Sequence, residues 1–130
     1  PKFATRALQG IDPLRWANNG WVDVIYSMDY RMKTDIDNVN NVRADLYNPN
    51  KLVVLFGNYI KVGDRVEAKS ADVVSRYAWL SRSNWPNSGI AFYLYNRLTD
   101  KQIQALRAGP FSKPAVTSWK LWSEPSTCYE

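Results

Sequence analysis

Lys51-Leu52-Val53-Val54-Leu55-Phe56-Gly57-Asn58-Tyr59 is the stretch that decides how this chain folds. From Leu52 to Phe56 every residue is apolar, with no alternation between a wet and a dry face. A strand of that kind is buried on both sides, as parallel strands are when other structure covers them. Parallel neighbours are joined by long crossovers that are usually helical, so helical sequence is expected before and after it.

Both are present. Upstream, residues 35–47 space Ile36, Val39, Val42 and Leu46 three or four apart, one stripe of an amphipathic helix, and Asn48-Pro49-Asn50 breaks it. Downstream, Lys61-Val62-Gly63-Asp64-Arg65 reads as a polar connection to a second amphipathic helix over residues 70–80. Beyond these helices lie two more strands. Residues 21–30 are dense in β-branched and aromatic side chains, and residues 90–95 follow a Pro86-Asn87-Ser88-Gly89 turn and read as a third buried strand. A short helix precedes the first strand, with Asp12 as N-cap, Pro13 at its first position and Gly20 at its end. Another, with its own cap, covers residues 99–106 and is stopped by Gly109-Pro110.

Strand and helix therefore alternate with a period of about 30 residues, which predicts an α/β fold on a parallel sheet. Residues 1–118 form the expected folded unit and residues 119–130 an irregular tail. Three buried parallel strands need covering at both edges, so the expectation is a partial sheet completed by upstream chain or by another subunit. The start at Pro1 rather than methionine fits that expectation.

Composition narrows the chemistry. The net charge of +5 comes from 17 Lys and Arg against 12 Asp and Glu, scattered singly rather than gathered into the patch that nucleic acid requires. No run approaches the roughly 18 apolar residues of a membrane span. The chain has no histidine and one cysteine, Cys128, so no metal site is expected, and Cys128 reads as a free thiol. No glycine-rich nucleotide loop, phosphate loop or nucleophile elbow occurs, so no cofactor is expected.

Ligands of parallel α/β proteins bind beyond the carboxyl ends of the strands. There the sequence offers Ser27-Met28-Asp29-Tyr30-Arg31, Gly57-Asn58-Tyr59 and Tyr93-Leu94-Tyr95-Asn96-Arg97. Each group joins an aromatic ring to amides or charges, a combination suited to a sugar: rings stack on its C–H face while polar groups bond its hydroxyls. Asp29 is the one carboxylate at a predicted strand end, since Asp12, Asp35 and Asp100 read as helix caps and Asp23 as a strand start. It is the candidate catalytic acid, and it equally suits orienting a hydroxyl. Glycoside hydrolysis takes two carboxyl groups, so a second acid is expected from elsewhere.

Trp16-x-x-x-Gly20-Trp21-Val22-Asp23-Val24-Ile25-Tyr26-Ser27-Met28-Asp29-Tyr30 resembles the bacterial glycosyl-hydrolase-like 10 family, in which a helix ending Trp-x-x-x-Gly leads into Val-Asp-x-x-x-Pro-Met-Asn-Tyr. Residues 52–59 are similar to that family's next strand, Gly-x-Gly-x-Tyr, and residues 88–96 to its last, Asp-Gly-x-x-x-Phe-Ser-Tyr-Glu. Ser27, Asp29 and Asn96 depart from the family's Pro, Asn and acid. The resemblance implies a partial (β/α)8 (TIM) barrel, strands six to eight with their helices, in an extracytoplasmic protein acting on polysaccharide, for some members the glycan of peptidoglycan. Tyr30, Arg31, Asn58, Tyr59, Tyr95, Asn96 and Arg97 are then the expected polysaccharide contacts, and the remainder of the barrel the expected partner. This segment alone is expected to be inactive. The rival expectation is a non-catalytic glycan-binding or envelope scaffold protein of the same fold.

Overall fold

The computed structural model describes residues 10–30 and 35–114. Arg31, Cys128 and the predicted tail at residues 119–130 lie outside the described residues. The elements in chain order are α1 (Pro13–Asn18), β1 (Ile25–Asp29), α2 (Ile36–Ala44), β2 (Leu52–Gly57), β3 (Tyr59–Val62), β4 (Arg65–Ala68), α3 (Ala71–Asn84), β5 (Ile90–Tyr93) and α4 (Asp100–Ala108). Single 3-10 turns stand at Pro49–Lys51 and Tyr95–Arg97.

The central strand is the one its sequence implies. β2 is buried along nearly its whole length and pairs in parallel with β1 on one side and β5 on the other. The chain is thus α/β with a three-stranded parallel sheet. Its neighbours are shorter than predicted, because β2 limits them. Ile25 opens its ladder opposite Leu52, and Tyr93 closes its own opposite Gly57, the first and last residues of β2. Trp21 to Val24 would face the Pro49–Lys51 turn, which offers no strand to pair with. Nor is β5 buried as predicted: its residues are half-buried or exposed, since helices cover one of its faces.

Period-two alternation sorts the sheet into two faces. Rows Ile25–Leu52, Ser27–Val54–Ile90 and Asp29–Phe56–Phe92 share one face. Against this face pack Ala17 of α1, Val39 and Val42 of α2, and Tyr77 of α3, with the Phe56 and Tyr77 rings stacked at 4.7 Å. Val74 and Ala78 of α3 meet Leu106 of α4 beside Ile90 and Phe92. All four helices therefore serve the same face. The other carries Tyr26–Val53, Met28–Leu55–Ala91 and Gly57–Tyr93, with Tyr26 and Met28 more than half exposed. Beside β1 an apolar hollow of about 250 Å³ opens, lined by Trp16, Val22, Val24 and Tyr26 among others.

Caps fall where side-chain chemistry places them. Asp12 and Asp35 accept from the N–H groups of Arg15 and Asn38 at 3.0 Å. At α4 the cap is Thr99, in a reciprocal box with Gln102, and Asp100 is the first helical residue. The amino ends of the strands are closed by two cations. Lys51 Nζ donates to the carbonyls of Ala17 and Val22 at 3.0 Å, and the Arg43 guanidinium to those of Pro49 and to Ser88 Oγ.

One element was not predicted. The polar connection after β2 is an antiparallel hairpin, β3 against β4, turning at Gly63-Asp64, where Gly63 takes a φ of +59° that glycine adopts without strain. Among the described residues no helix is long and apolar enough to cross a membrane, and no group of metal-ligating side chains is assembled.

The fully buried Phe56 ring is the test of this core. Phe56→Ala is expected to lower the unfolding free energy by roughly 3 to 5 kcal/mol in urea titrations. Val66→Thr, on the exposed hairpin, should change it by less than about 0.5 kcal/mol.

Candidate functional site

The carboxyl ends of the three parallel strands meet at a cluster of tyrosines. Tyr30 stands one residue beyond β1, Tyr93 ends β5, and Tyr59 opens the hairpin. The period-two alternation puts Tyr30, Gly57 and Tyr93 in one row at the end of the face without helices. Gly57 makes the row possible: a Cβ there would lie 3.2 Å from Tyr30 Cδ1. Over that gap the Tyr30 and Tyr93 rings stack with centroids 5.5 Å apart and planes 21° apart. Tyr59 leans on Tyr93 at 6.2 Å and 49°. Tyr30 and Tyr93 are 41% and 39% exposed, so the array presents ring surface and hydroxyls to solvent. Burial, then electrostatic repulsion from Tyr93 and Tyr59, pushes the Tyr30 phenol above its ordinary value.

Beneath the tyrosines lies a buried polar layer. Asn58, fully buried, joins the ends of β2 and β5. Its N–H donates to the Tyr93 carbonyl at 2.8 Å, its Nδ2 to the Leu94 carbonyl at 3.1 Å, and its Oδ1 accepts from the Leu94 N–H. The Tyr93–Leu94 peptide is cis. Gln102, also fully buried, reaches from α4 to the carbonyls of Asn58 and Lys69 at 3.0 and 2.7 Å. Those two residues are the base of the hairpin, where the Lys69 N–H donates to the Asn58 carbonyl at 3.0 Å.

Lys69 is the most connected of the group. Only 4% exposed, its Nζ lies 3.3 Å from the Tyr30 carbonyl, 3.4 Å from the Tyr77 hydroxyl and 5.0 Å from the Tyr77 ring centroid. Burial pulls its ammonium below the ordinary 10.5, and the Asp29 carboxylate partly offsets this. The Tyr77 phenol is raised, mainly by burial and further by Asp29, with Arg76 opposing.

The predicted residues thus divide. Tyr30 and Tyr59 come together, with Tyr93 between them. Asp29 and Asn58 lie buried below, Asp29 in the row that faces the helices. Tyr95, Asn96 and Arg97 are exposed on the 3-10 turn after β5, Tyr95 at 84%. Sequence reading missed Lys69, Tyr77 and Gln102, and it placed Tyr93 at the third strand end but took Tyr95 as the contact. The signal for Tyr93 was its place in the last strand, but choosing it over Tyr95 requires knowing where the ladder stops. Lys69 carried no signal, since a lysine before a helix cap reads as surface.

The arrangement offers stacking faces and phenolic hydroxyls, the chemistry of a sugar platform. It offers no carboxylate to solvent at the described strand ends, because Asp29 is 3% exposed. No protein-family model matches this chain, and no curated protein or solved structure is significantly similar to it.

The buried layer predicts two stability effects. Lys69→Met leaves the Asp29 carboxylate enclosed without its nearby ammonium, and should cost roughly 3 to 5 kcal/mol of unfolding free energy; Asp29→Asn/Lys69→Met should recover most of it. Because the folded-state pKa of Lys69 is lowered, the unfolded chain binds more protons between that value and 10.5. Across this window the unaltered protein should therefore gain stability with rising pH relative to the double variant, measured as the difference between their urea midpoints.

Proposed function

We propose that these units are the last three of a glycosidase-like (β/α)8 barrel, and that the protein binds a polysaccharide across Tyr30, Tyr59 and Tyr93. The observation that carries this reading is the one-sidedness of the sheet: parallel strands in chain order, every described helix on one face, and an apolar face left open. Doubly wound sheets carry helices on both faces, whereas a barrel keeps them outside and turns its other face inward. On that reading Met28, Leu55 and Ala91 belong to an interior layer, and the tyrosines stand at the mouth, where barrels bind their ligands. The apolar hollow beside β1 is then where the preceding unit packs. The likeness of residues 8–106 to the glycosyl-hydrolase-like 10 family supports the same assignment, together with an extracytoplasmic site of action.

A second reading, a glycan-binding or envelope scaffold protein without catalysis, is favoured by one observation. The only carboxylate at a described strand end is buried against the helices beside Lys69. Hydrolysis by the intact protein would then rest on two carboxyl groups of other strands, about 5 to 10 Å apart.

Incubation of the intact protein with insoluble polysaccharides, peptidoglycan among them, tests both readings. Tyr30→Ala and Tyr93→Ala should each weaken binding about tenfold, equivalent to about 1.4 kcal/mol. Unchanged affinity in both would overturn the platform. Release of reducing ends by the unaltered protein separates the enzyme from the binder.

A further inference from the structure

We infer that Lys69 is the positioning residue of the tyrosine platform: its buried ammonium sets Tyr30, and its backbone sets Tyr59. The functional half of this rests on Tyr30, Tyr59 and Tyr93 being the glycan platform proposed above.

Lysine is among the residues least often buried, because its charge is costly to strip of water. An apolar side chain of similar length would fill the space at Lys69 without that cost. What the ammonium adds is a set of bonds and charges reaching separate elements. At the end of β1 it faces the Asp29 carboxylate, and just beyond it donates to the Tyr30 carbonyl; on α3 it meets the Tyr77 hydroxyl, whose titration also feels Arg76. The last ladder pair of β1 is Asp29 with Phe56, so Tyr30 is the first residue past the sheet. Its carbonyl is held by Lys69, which fixes the backbone from which the ring stacks on Tyr93.

The backbone of the same residue works on the hairpin. The Lys69 N–H bonds the Asn58 carbonyl, and Gln102 grips the carbonyls of both, which closes the hairpin base next to Tyr59. One residue therefore links the hairpin, β1, α3 and α4, and the three rings assemble only with Lys69 in place.

The experiment must separate positioning from mere charge balance with Asp29. In the intact protein, Lys69→Met and Asp29→Asn/Lys69→Met are compared by NMR of ¹³C-labelled tyrosine rings, assigned with Tyr30→Phe and Tyr93→Phe. The double variant no longer encloses the Asp29 charge without the Lys69 ammonium, so its unfolding midpoint should return towards that of the unaltered protein. Its Tyr30 and Tyr93 ring signals should nonetheless move towards those of exposed tyrosine, and polysaccharide affinity should fall about tenfold. Native ring signals in the stable double variant would overturn the inference, leaving Lys69 as a counter-charge alone. Moved ring signals in a protein that binds no polysaccharide even when unaltered would uphold the positioning role and sink the glycan reading instead.

Discussion

Five of the six residues from Leu52 to Gly57 are withdrawn from water, Leu55 on the open face being half-buried, and the rest of the described structure follows from keeping them dry. A strand in that position must have its peptide groups paired on both edges, since an unpaired buried N–H or C=O costs as much as a lost hydrogen bond. β1 and β5 supply the pairing, and their lengths are cut to the span of β2. Side chains on one face are covered by α2 and α3, the crossovers that parallel pairing requires, and by α4, which packs beside α3 against Ile90 and Phe92. Burial of β2 thus dictates strand direction, helix placement and strand length together.

The same burial creates a problem at the sheet's ends, where the ladder stops but solvent is still excluded. Charged and amide side chains solve it. At the amino ends Lys51 and Arg43 donate to carbonyls that the ladder does not reach. At the carboxyl ends Asn58, Gln102 and Lys69 do so. These groups are buried or half-buried because the strand ends need donors, and an ammonium, guanidinium or amide reaches where a backbone cannot. The polar layer under the tyrosines is in this sense the consequence of an apolar strand.

Most of the architecture was legible in the sequence because it rests on local patterns. The continuous run at Leu52–Phe56, the helical spacing of Ile36, Val39 and Val42, and the caps at Asp12 and Asp35 each state their structure within a few residues. Two kinds of feature were not legible. The hairpin at residues 59–68 was hidden because its alternation is short and its residues so polar that they read as a connection. Lys69 and Gln102 were hidden, and Tyr93 was passed over for Tyr95, because their roles depend on partners up to 63 residues away, a matter of register and docking that no window contains.

Register also decides what the strand ends can do. Asp29 and Tyr30 are neighbours in sequence, so they point to opposite faces of the sheet. In the register observed, with Asp29 opposite Phe56, the aspartate turns to the helices and Lys69 while the tyrosine joins the open face with Gly57 and Tyr93. A slip of one residue would reverse both, placing a carboxylate at the open end and a ring against α3. That slip is opposed by Ile25, which would leave the core with it, and by Gly57, where the missing Cβ lets the Tyr30 ring close over the sheet. The core that keeps β2 dry therefore also selects a stacking surface over an acid at this end of the chain.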